Sequence, residues 1–256
     1  MGSNGIFSLQ GRTAIVTGAS KGLGEAIAYS LADAGADLVL ASRDQALLEK
    51  VAAEVRSKGS KAITVRADML NAKDIQAMTD KAIAEFGKID ILVNNAGINI
   101  VKPFVDLTEQ EWDSVLDTNL KGYFLCSQAV GREMLKRKSG CVINNASVFG
   151  RTGFMNLSPY IASKGAIVQL TKALAVEWAR FNIRVNCIAP SYIVTEMAKK
   201  DIESNPKVLE QNLKKIPMRR GGEPREVGSV VAFLASDAAS FMTGETVAID
   251  GGWLAW

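Results

Sequence analysis

Tyr160 and Lys164 stand four residues apart in the segment Tyr-Ile-Ala-Ser-Lys, inside a run of residues that favours a helix. On a helix this spacing puts both side chains on one face, one turn apart. A phenol normally loses its proton at about pH 10, but a neighbouring cation favours the phenolate and lowers that pKa. We therefore expect the pair to exchange a proton with a carbonyl or alcohol near neutral pH.

A glycine-rich segment, Thr-Gly-Ala-Ser-Lys-Gly-Leu-Gly, occupies residues 17–24. It follows the short apolar run Thr13–Val16, typical of a buried parallel strand, and precedes a helix predicted over Glu25–Ala34. A strand, a glycine-rich turn and a helix in this order direct unpaired N–H groups at a pyrophosphate. The first two glycines allow a tight turn and close approach of the backbone to a ligand, and the third allows close helix packing. A glycine-rich turn that binds nothing is the alternative interpretation.

The composition excludes several kinds of site. The chain has 256 residues, 48% of them hydrophobic, a net charge of +3 and no histidine. Without histidine, no Ser-His-Asp triad, Cys-His pair or His-ligated zinc can form, so we expect no metal site. The charge is too small and too evenly spread to indicate nucleic acid, and no apolar run is long enough to span a membrane. Three cysteines in apolar surroundings, Cys126, Cys141 and Cys187, indicate reduced core residues of a cytoplasmic protein.

Strand-like and helix-like runs alternate along the chain. This alternation predicts one α/β domain, a doubly wound Rossmann-type fold with a seven-stranded parallel sheet, over residues 9–256. Residues 1–8 are expected to be a flexible lead-in. The predicted strands are Thr13–Val16, Asp37–Ala41, Ala62–Val65, Ile89–Val93, Cys141–Ile143, Ile183–Ile188 and Thr246–Ile249. The predicted helices after the first cover 45–57, 72–86 and 109–138, the last capped by Thr108, and a further helix carries Tyr160.

Polar residues or a proline directly follow six of the apolar strands. The carboxyl ends of parallel strands meet at one edge of the sheet, where ligands bind in such folds. We therefore expect these residues to line one edge, although turn formation alone explains any single one of them. They are Thr17, Ser42, Asp68, Asn94, Ser147 and Pro190.

Taken together, these residues resemble the short-chain dehydrogenase/reductase family from about Leu9 to Trp253. The resemblance rests on the glycine-rich segment, on Asn94-Asn95-Ala96-Gly97, and on Asn119, Ser147 and the Tyr-x-x-x-Lys motif. It implies that Tyr160 is the catalytic acid–base, and that Lys164 lowers its pKa and holds the nicotinamide ribose. It further implies that Ser147 hydrogen-bonds the substrate oxygen and that Asn119 holds a water in a proton relay through Lys164.

The resemblance also implies a nicotinamide cofactor. Ser42, where an NAD-preferring relative usually carries an acidic residue, is followed by Arg43, and Lys21 adds a second positive charge. A guanidinium can bind a 2′-phosphate by two hydrogen bonds, so we expect NADP(H) to be favoured over NAD(H). Alternatively, Arg43 is a solvated residue at the start of a helix that Asp44 caps. The expected cofactor-binding residues are Gly18, Ser20, Lys21, Gly22, Leu23, Gly24, Ser42, Arg43, Asp68, Met69, Asn95, Ala96, Gly97, Tyr160, Lys164, Pro190, Ile193 and Thr195.

Within the family, the chain is most similar to sugar-acid dehydrogenases that act on gluconate or 2-deoxygluconate. We expect oxidation or reduction of a sugar acid or related polyol. The alternatives are a 3-oxoacyl-thioester or general carbonyl reductase and a non-catalytic dinucleotide sensor. The family places a substrate lid at residues 192–218, which carry Met197, Lys199, Lys200 and Lys207, and it implies a homotetramer. Ser191 replaces the usual glycine, which leaves the local loop geometry open. Plausible pocket residues are Asn99, Arg151, Phe154 and Tyr192.

Overall fold

Seven parallel strands form one sheet at the centre of the protein, in the order β3-β2-β1-β4-β5-β6-β7. The structure, a computed structural model, describes residues 5–195 and 213–255. The strands are β1 (Thr13–Thr17), β2 (Asp37–Ser42), β3 (Ala62–Arg66), β4 (Ile91–Asn94), β5 (Gly140–Asn145), β6 (Ile183–Pro190) and β7 (Thr246–Ile249). The predicted single α/β domain with a seven-stranded parallel sheet is therefore confirmed.

The helices connect these strands and cover both faces of the sheet. They are α1 (Gly22–Asp33), α2 (Gln45–Ser57), α3 (Ala72–Phe86), α4 (Glu109–Leu116), α5 (Gly122–Arg137), α6 (Ser158–Trp178) and α7 (Pro224–Ala235). The predicted helix that carries Tyr160 is α6, and Tyr160 lies in its first turn. The predicted lid, residues 192–218, lies largely outside the described residues, as do residues 1–4 of the predicted lead-in. The four residues that the sequence singled out on the lid, at 197, 199, 200 and 207, belong to that part.

The two faces of the sheet form two hydrophobic cores, because successive side chains of a strand point in opposite directions. On β1, Ala14 and Val16 join one core, which α1, α2 and α7 cover. Ile15, between them, joins the other core, which α3, α5 and α6 cover. All five residues of β1 are buried, as expected for a strand with helices on both sides. The three cysteines are buried and free, as predicted.

The predicted long helix over residues 109–138 is wrong in one respect. It begins as expected, with a capping box between Thr108 and Glu111, but it is interrupted by a π-helical turn over Asp117–Lys121. The turn buries Asn119, whose side chain hydrogen-bonds both backbone groups of Ile98. Insertions of this kind often occur at functional sites. Within the described residues, no helix has both the length and the apolar character that a membrane span requires.

Candidate active site

A cleft of about 1170 Å³ opens at the carboxyl edge of the sheet. It exceeds the ~300–1,000 Å³ typical of a small-molecule pocket, and so has room for a dinucleotide together with a substrate. Every residue expected to bind the cofactor lines this cleft, and Ser147 lines it as well. The lining includes Gly18, Ser20, Lys21, Gly22, Leu23, Gly24, Ser42, Arg43, Asp68, Met69, Asn95, Ala96, Gly97, Ser147, Tyr160, Lys164, Pro190, Ile193 and Thr195. Of the predicted site residues, Asn119 alone is not part of the lining.

The glycine-rich turn has the backbone that its sequence predicts. Gly18 and Gly22 both have φ near +65°, a conformation that L side chains rarely adopt. A Cβ on Gly24 would lie against the carbonyl oxygen of Gly18 and 2.6 Å from Nδ2 of Asn95. Lys21, at the start of α1, makes no side-chain cap, so the first N–H groups of this helix are left for another partner. The turn thus fits the diphosphate of a dinucleotide.

Two of the six residues expected at the strand ends, Thr17 and Asn94, point inward and do not line the cleft. The Thr17 hydroxyl accepts hydrogen bonds from the backbone N–H groups of Asn95 (2.9 Å) and Ala96 (3.1 Å). The Asn94 amide donates to Ser127 Oγ at 3.0 Å and to Asn144 Oδ1 at 2.9 Å. These residues fix the loop after β4 against β1; they end their strands at the predicted edge of the sheet, but their side chains do not line the cleft.

Tyr160 and Ser147 both line the cleft and interact with each other. Ser147 begins a 3₁₀ turn, where its hydroxyl accepts from the N–H of Phe149 at 3.2 Å and donates to the carbonyl of Pro190 at 3.4 Å. Burial raises the pKa of the Tyr160 phenol, and a hydrogen bond with Ser147 lowers it. The burial effect is the larger, because a phenolate loses its hydration in the protein interior. The expected net lowering of this pKa is therefore wrong for these side chains.

Lys164 is buried between two tyrosine rings. Its Nζ lies 5.4 Å from the ring centroid of Tyr160 and 5.5 Å from that of Tyr123. The ammonium donates to the carbonyl of Asn145 at 2.7 Å, and the Tyr123 hydroxyl donates to the same oxygen at 3.2 Å. Burial lowers the pKa of Lys164 to about 8, so the side chain remains mainly charged at neutral pH. The predicted juxtaposition of Tyr160 and Lys164 on one helical face is confirmed.

Asn119, on the π-helical turn, lies near Lys164 and Gly97. Its Oδ1 accepts from the N–H of Ile98 at 2.8 Å, and its Nδ2 donates to Ser163 Oγ at 3.1 Å. A Cβ on Gly97 would lie 3.1 Å from Asn119 Oδ1 and 3.8 Å from Lys164 Nζ. Both polar atoms therefore flank Gly97, although no direct hydrogen bond joins Asn119 to Lys164.

Two arginines lie at the far end of the cleft, beside the carboxyl ends of β2 and β3. Arg43 was expected there, whereas Arg66 was missed. Ser42 pairs with Arg66 in the sheet register, so a correct alignment of the two predicted strands would have revealed it. Neither arginine forms an ion pair or hydrogen bond with any described residue. The alternative role for Asp44 is also confirmed, since it caps α2 through a 3.0 Å bond from the N–H of Leu47.

The four expected substrate-pocket residues do not all line one pocket. Asn99 lines the cleft, whereas Phe154 lines a separate hollow. Tyr192 packs over the Cα of Gly221, and Arg151 lies outside the cleft lining. Ser191 lines the cleft without the positive φ that would favour glycine, and its N–H donates to the carbonyl of Ile249 at 3.2 Å. The replacement of glycine by Ser191 is therefore compatible with ordinary backbone geometry.

Comparison with known proteins agrees with this arrangement. The family model described as enoyl-(acyl carrier protein) reductase matches residues 18–254. The chain is 40% identical to 2-dehydro-3-deoxy-D-gluconate 5-dehydrogenase of Dickeya dadantii over 255 residues, covering 97% of this chain and 98% of that protein. It is also 40% identical to 3-oxoacyl-(acyl-carrier-protein) reductase FabG of Staphylococcus aureus strain Mu50 over 244 residues, covering 94% and 97%.

The whole chain is also similar to a solved structure. It is a protein of Agrobacterium tumefaciens, provisionally assigned as 2-deoxy-D-gluconate 3-dehydrogenase, with bound NADP. The two chains superpose with a TM-score of 0.91 at 38% identity, covering 99% of this chain and 100% of the other. Identity at this level over whole chains, together with a cleft built from the matching motifs, establishes that the protein belongs to the short-chain dehydrogenase/reductase family and is one of its oxidoreductases.

Proposed function

We propose that the protein transfers a hydride between NADP(H) and a secondary alcohol or ketone, with Tyr160 as the acid–base. One observation carries the proposal. Ser147 interacts with the Tyr160 hydroxyl and opposes the rise of its pKa, and the Lys164 ammonium lies 5.4 Å from the centre of its ring. All three side chains line the cleft that begins at the glycine-rich turn.

Each polar side chain of the site has its own role in proton transfer. When bound, the nicotinamide supplies or accepts the hydride. Tyr160 donates its proton to the substrate oxygen during reduction and takes it back during oxidation. Ser147 hydrogen-bonds the same oxygen, and Lys164 stabilises negative charge on the phenol and holds the nicotinamide ribose. Asn119 and Lys164 both flank Gly97, which supports a water held between them as the relay toward solvent.

The charge around the far end of the cleft supports NADP over NAD. An NAD-preferring site usually carries a carboxylate at the end of β2, where it would repel a 2′-phosphate. Here Ser42 ends β2, and Arg43 and Arg66 lie beside it without a carboxylate partner among the described residues. Lys21 adds a third positive charge at the start of α1. Because guanidinium groups bind phosphate through paired hydrogen bonds, this end of the cleft suits a 2′-phosphate.

We propose a sugar acid or related polyol as the substrate. The Dickeya dadantii relative acts on such a compound by its name, and the assignment of the Agrobacterium tumefaciens structure agrees. Reduction of a 3-oxoacyl thioester is the second candidate, because FabG is equally similar to this chain; general carbonyl reduction is a broader form of it. A non-catalytic dinucleotide sensor is disfavoured, because each candidate catalytic residue is present and the Tyr160–Lys164 pair is assembled.

The wider organisation is also a proposal. We propose that the protein is a homotetramer in the cytoplasm with no nucleic-acid or membrane partner. We further propose that residues 1–8 are a lead-in and that 192–218 cover the substrate. A molecular mass of one chain by light scattering would contradict the tetramer.

One experiment separates the candidate functions. The purified protein is incubated with NADP or NAD and D-gluconate or D-sorbitol, and with the reduced cofactors and acetoacetyl-CoA, while nicotinamide absorbance is followed. We expect turnover of D-gluconate with a lower Michaelis constant for NADP than for NAD. Turnover of acetoacetyl-CoA alone would instead favour the thioester reductase. Tight cofactor binding without turnover of any substrate would favour the sensor.

A further inference from the structure

The buried ammonium of Lys164 has few groups around it that replace its hydration. Among the described residues its Nζ forms one hydrogen bond, to the Asn145 carbonyl at 2.7 Å, and no ion pair with a carboxylate. A buried charge is costly unless neighbouring groups compensate it. The other groups that face Nζ therefore decide how easily this lysine stays charged.

Two tyrosine rings face this ammonium. Nζ lies 5.5 Å from the ring centroid of Tyr123 and 5.4 Å from that of Tyr160. Both distances are within the ~6 Å range of cation–π attraction, in which the negative face of a ring stabilises a cation, and the attraction is stronger away from water. Tyr160 exchanges a proton in the proposed reaction, whereas Tyr123 lies outside the cleft lining. A role of Tyr123 in the reaction must therefore act through its neighbours.

The fold holds the Tyr123 ring in place from two sides. Tyr123 is a buried residue in the first turn of α5, four positions after Asn119 on the π-helical turn. Its ring packs in a small hydrophobic cluster with Ile167, and its hydroxyl donates to the Asn145 carbonyl at 3.2 Å. That oxygen also accepts from Lys164. Moving the ring away from the ammonium would therefore break a buried hydrogen bond.

The titratable groups that face Lys164 stay uncharged near neutral pH. They are Tyr160 on α6 itself, Tyr123 on α5 and Cys187 on β6. Burial raises the pKa of the Tyr123 phenol well above its ordinary value and that of the Cys187 thiol to about 11; it also raises the pKa of Tyr160. Tyr123 is thus a neutral phenol where Lys164 loses its proton, and it interacts through the face of its ring and not as a counter-ion.

We propose that Tyr123 is a positioning residue of the reaction, whose ring keeps the Lys164 ammonium charged and beside Tyr160. The charged lysine is the form that stabilises a phenolate and holds the ribose in the proposed function, on which this inference rests. Without the ring face, neutral Lys164 is favoured and the Tyr160 phenolate loses its neighbouring cation. Simple filling of the core is the other interpretation, and it predicts a loss of stability without a change in the titration of Lys164.

The test follows the Lys164 proton through protein stability, so it needs no substrate. Urea denaturation without cofactor, between about pH 6 and about pH 9.5, compares each Tyr123 variant with the same variant that also carries Lys164→Met. In the wild-type background, this difference rises from about pH 8, where folded Lys164 loses its proton. We expect Tyr123→Met, which fills similar space without a ring, to start the rise about one pH unit lower. Tyr123→Phe, which keeps the ring, should start it where the wild type does.

Two further variants separate the ring face from other causes. Replacing Tyr123 by pentafluorophenylalanine keeps the shape of the ring and removes the negative charge of its face. This variant should therefore displace the rise as Tyr123→Met does, and it serves where methionine prevents folding. Leu48→Ala empties buried space on α2, at the other face of the sheet. It should lower the free energy of unfolding and leave the start of the rise in place.

Three results of this titration would overturn the inference. The first is a rise that starts at the same pH in the wild type, in Tyr123→Met and in the pentafluorophenylalanine variant. The second is an equal displacement by Tyr123→Phe, which would assign the effect to the hydroxyl. The third is an equal displacement by Leu48→Ala, which would indicate a general loosening of the protein.

Turnover separates this inference from the proposed function. For oxidation of D-gluconate with NADP, we expect the acid limb of kcat against pH to move to higher pH in Tyr123→Met, because the phenolate is less stabilised. An unchanged limb in a variant whose stability rise is displaced would contradict a role of Tyr123 in the reaction. Absence of turnover with every substrate, together with a displaced rise, would contradict the proposed function and leave the support of Lys164 by the ring standing.

Discussion

The buried ammonium of Lys164 should leave a measurable signature on the stability of the protein. The side chain is 3% exposed, and its hydrogen bond to the Asn145 carbonyl, at 2.7 Å, only partly replaces its hydration. Burial therefore lowers its pKa from the ordinary 10.5 to about 8. Replacing Lys164 by methionine, which has a similar length and no charge, removes this effect.

The sign of the effect follows from proton binding. Between about pH 8 and about pH 10.5, the unfolded chain holds the Lys164 proton more strongly than the folded protein does. The free energy of unfolding therefore rises with pH over this window, because the folded state no longer has to bury a charge. With these two pKa values, the gain between about pH 7 and about pH 10 amounts to roughly 2.5 kcal/mol.

Urea denaturation at a series of pH values, without added cofactor, tests this reasoning. The free energy of unfolding is measured for the wild type and for Lys164→Met, and the difference between them is plotted against pH. We expect the wild type to gain about 2–3 kcal/mol relative to the variant as the pH rises. The exposed Lys73, changed to methionine, provides the control, whose difference from the wild type should stay flat. A flat or falling difference for Lys164→Met would refute the assignment of a destabilised buried charge.

Three further changes test the site. Tyr160→Phe should retain cofactor binding by calorimetry and lose nearly all turnover; retained turnover would exclude the phenol as the acid–base. Arg66→Ala should raise the Michaelis constant for NADP about tenfold and leave that for NAD unchanged, whereas an equal change in both would contradict a phosphate contact. Gly24→Ala should lower the free energy of unfolding by about 1–3 kcal/mol, since the new methyl group meets Asn95. Gly165→Ala, with only an ordinary contact nearby, should cause no such loss in the same urea titration.

The order of elements could be predicted from the sequence because local signals mark their ends. The helices over 45–57 and 72–86 begin and end where predicted. Asp44 and Asn71 cap their starts through side-chain hydrogen bonds, and Gly87 ends α3 in the left-handed conformation. The π-helical turn around Asn119 has no comparable local signal. It depends on hydrogen bonds to Ile98, a residue more than twenty positions away in the sequence, which only the folded chain brings into contact.

The candidate site also has residues that sequence motifs predict and residues that only the folded chain brings together. Motif residues such as Gly18 and Tyr160 could be placed in one cleft, because the carboxyl ends of parallel strands share one edge. Arg66 could not be found without the register between β2 and β3. Nor could the sequence reveal the Tyr123 ring beside Lys164, since the two residues belong to different helices, about forty positions apart. Contacts between such distant segments leave no periodic pattern in the chain.

The direction of the Tyr160 pKa shift shows how one physical cause acts on both members of a pair. Burial disfavours charge of either sign, so it raises the pKa of the phenol and lowers that of Lys164. At neutral pH the proton therefore stays on Tyr160, where it is available for transfer to a ketone, and most Lys164 remains an ammonium. Oxidation of an alcohol requires the Tyr160 phenolate, which burial makes less stable than the neutral phenol. Ser147 opposes the effect of burial on the Tyr160 pKa, and the adjacent Lys164 ammonium would stabilise a phenolate by its charge.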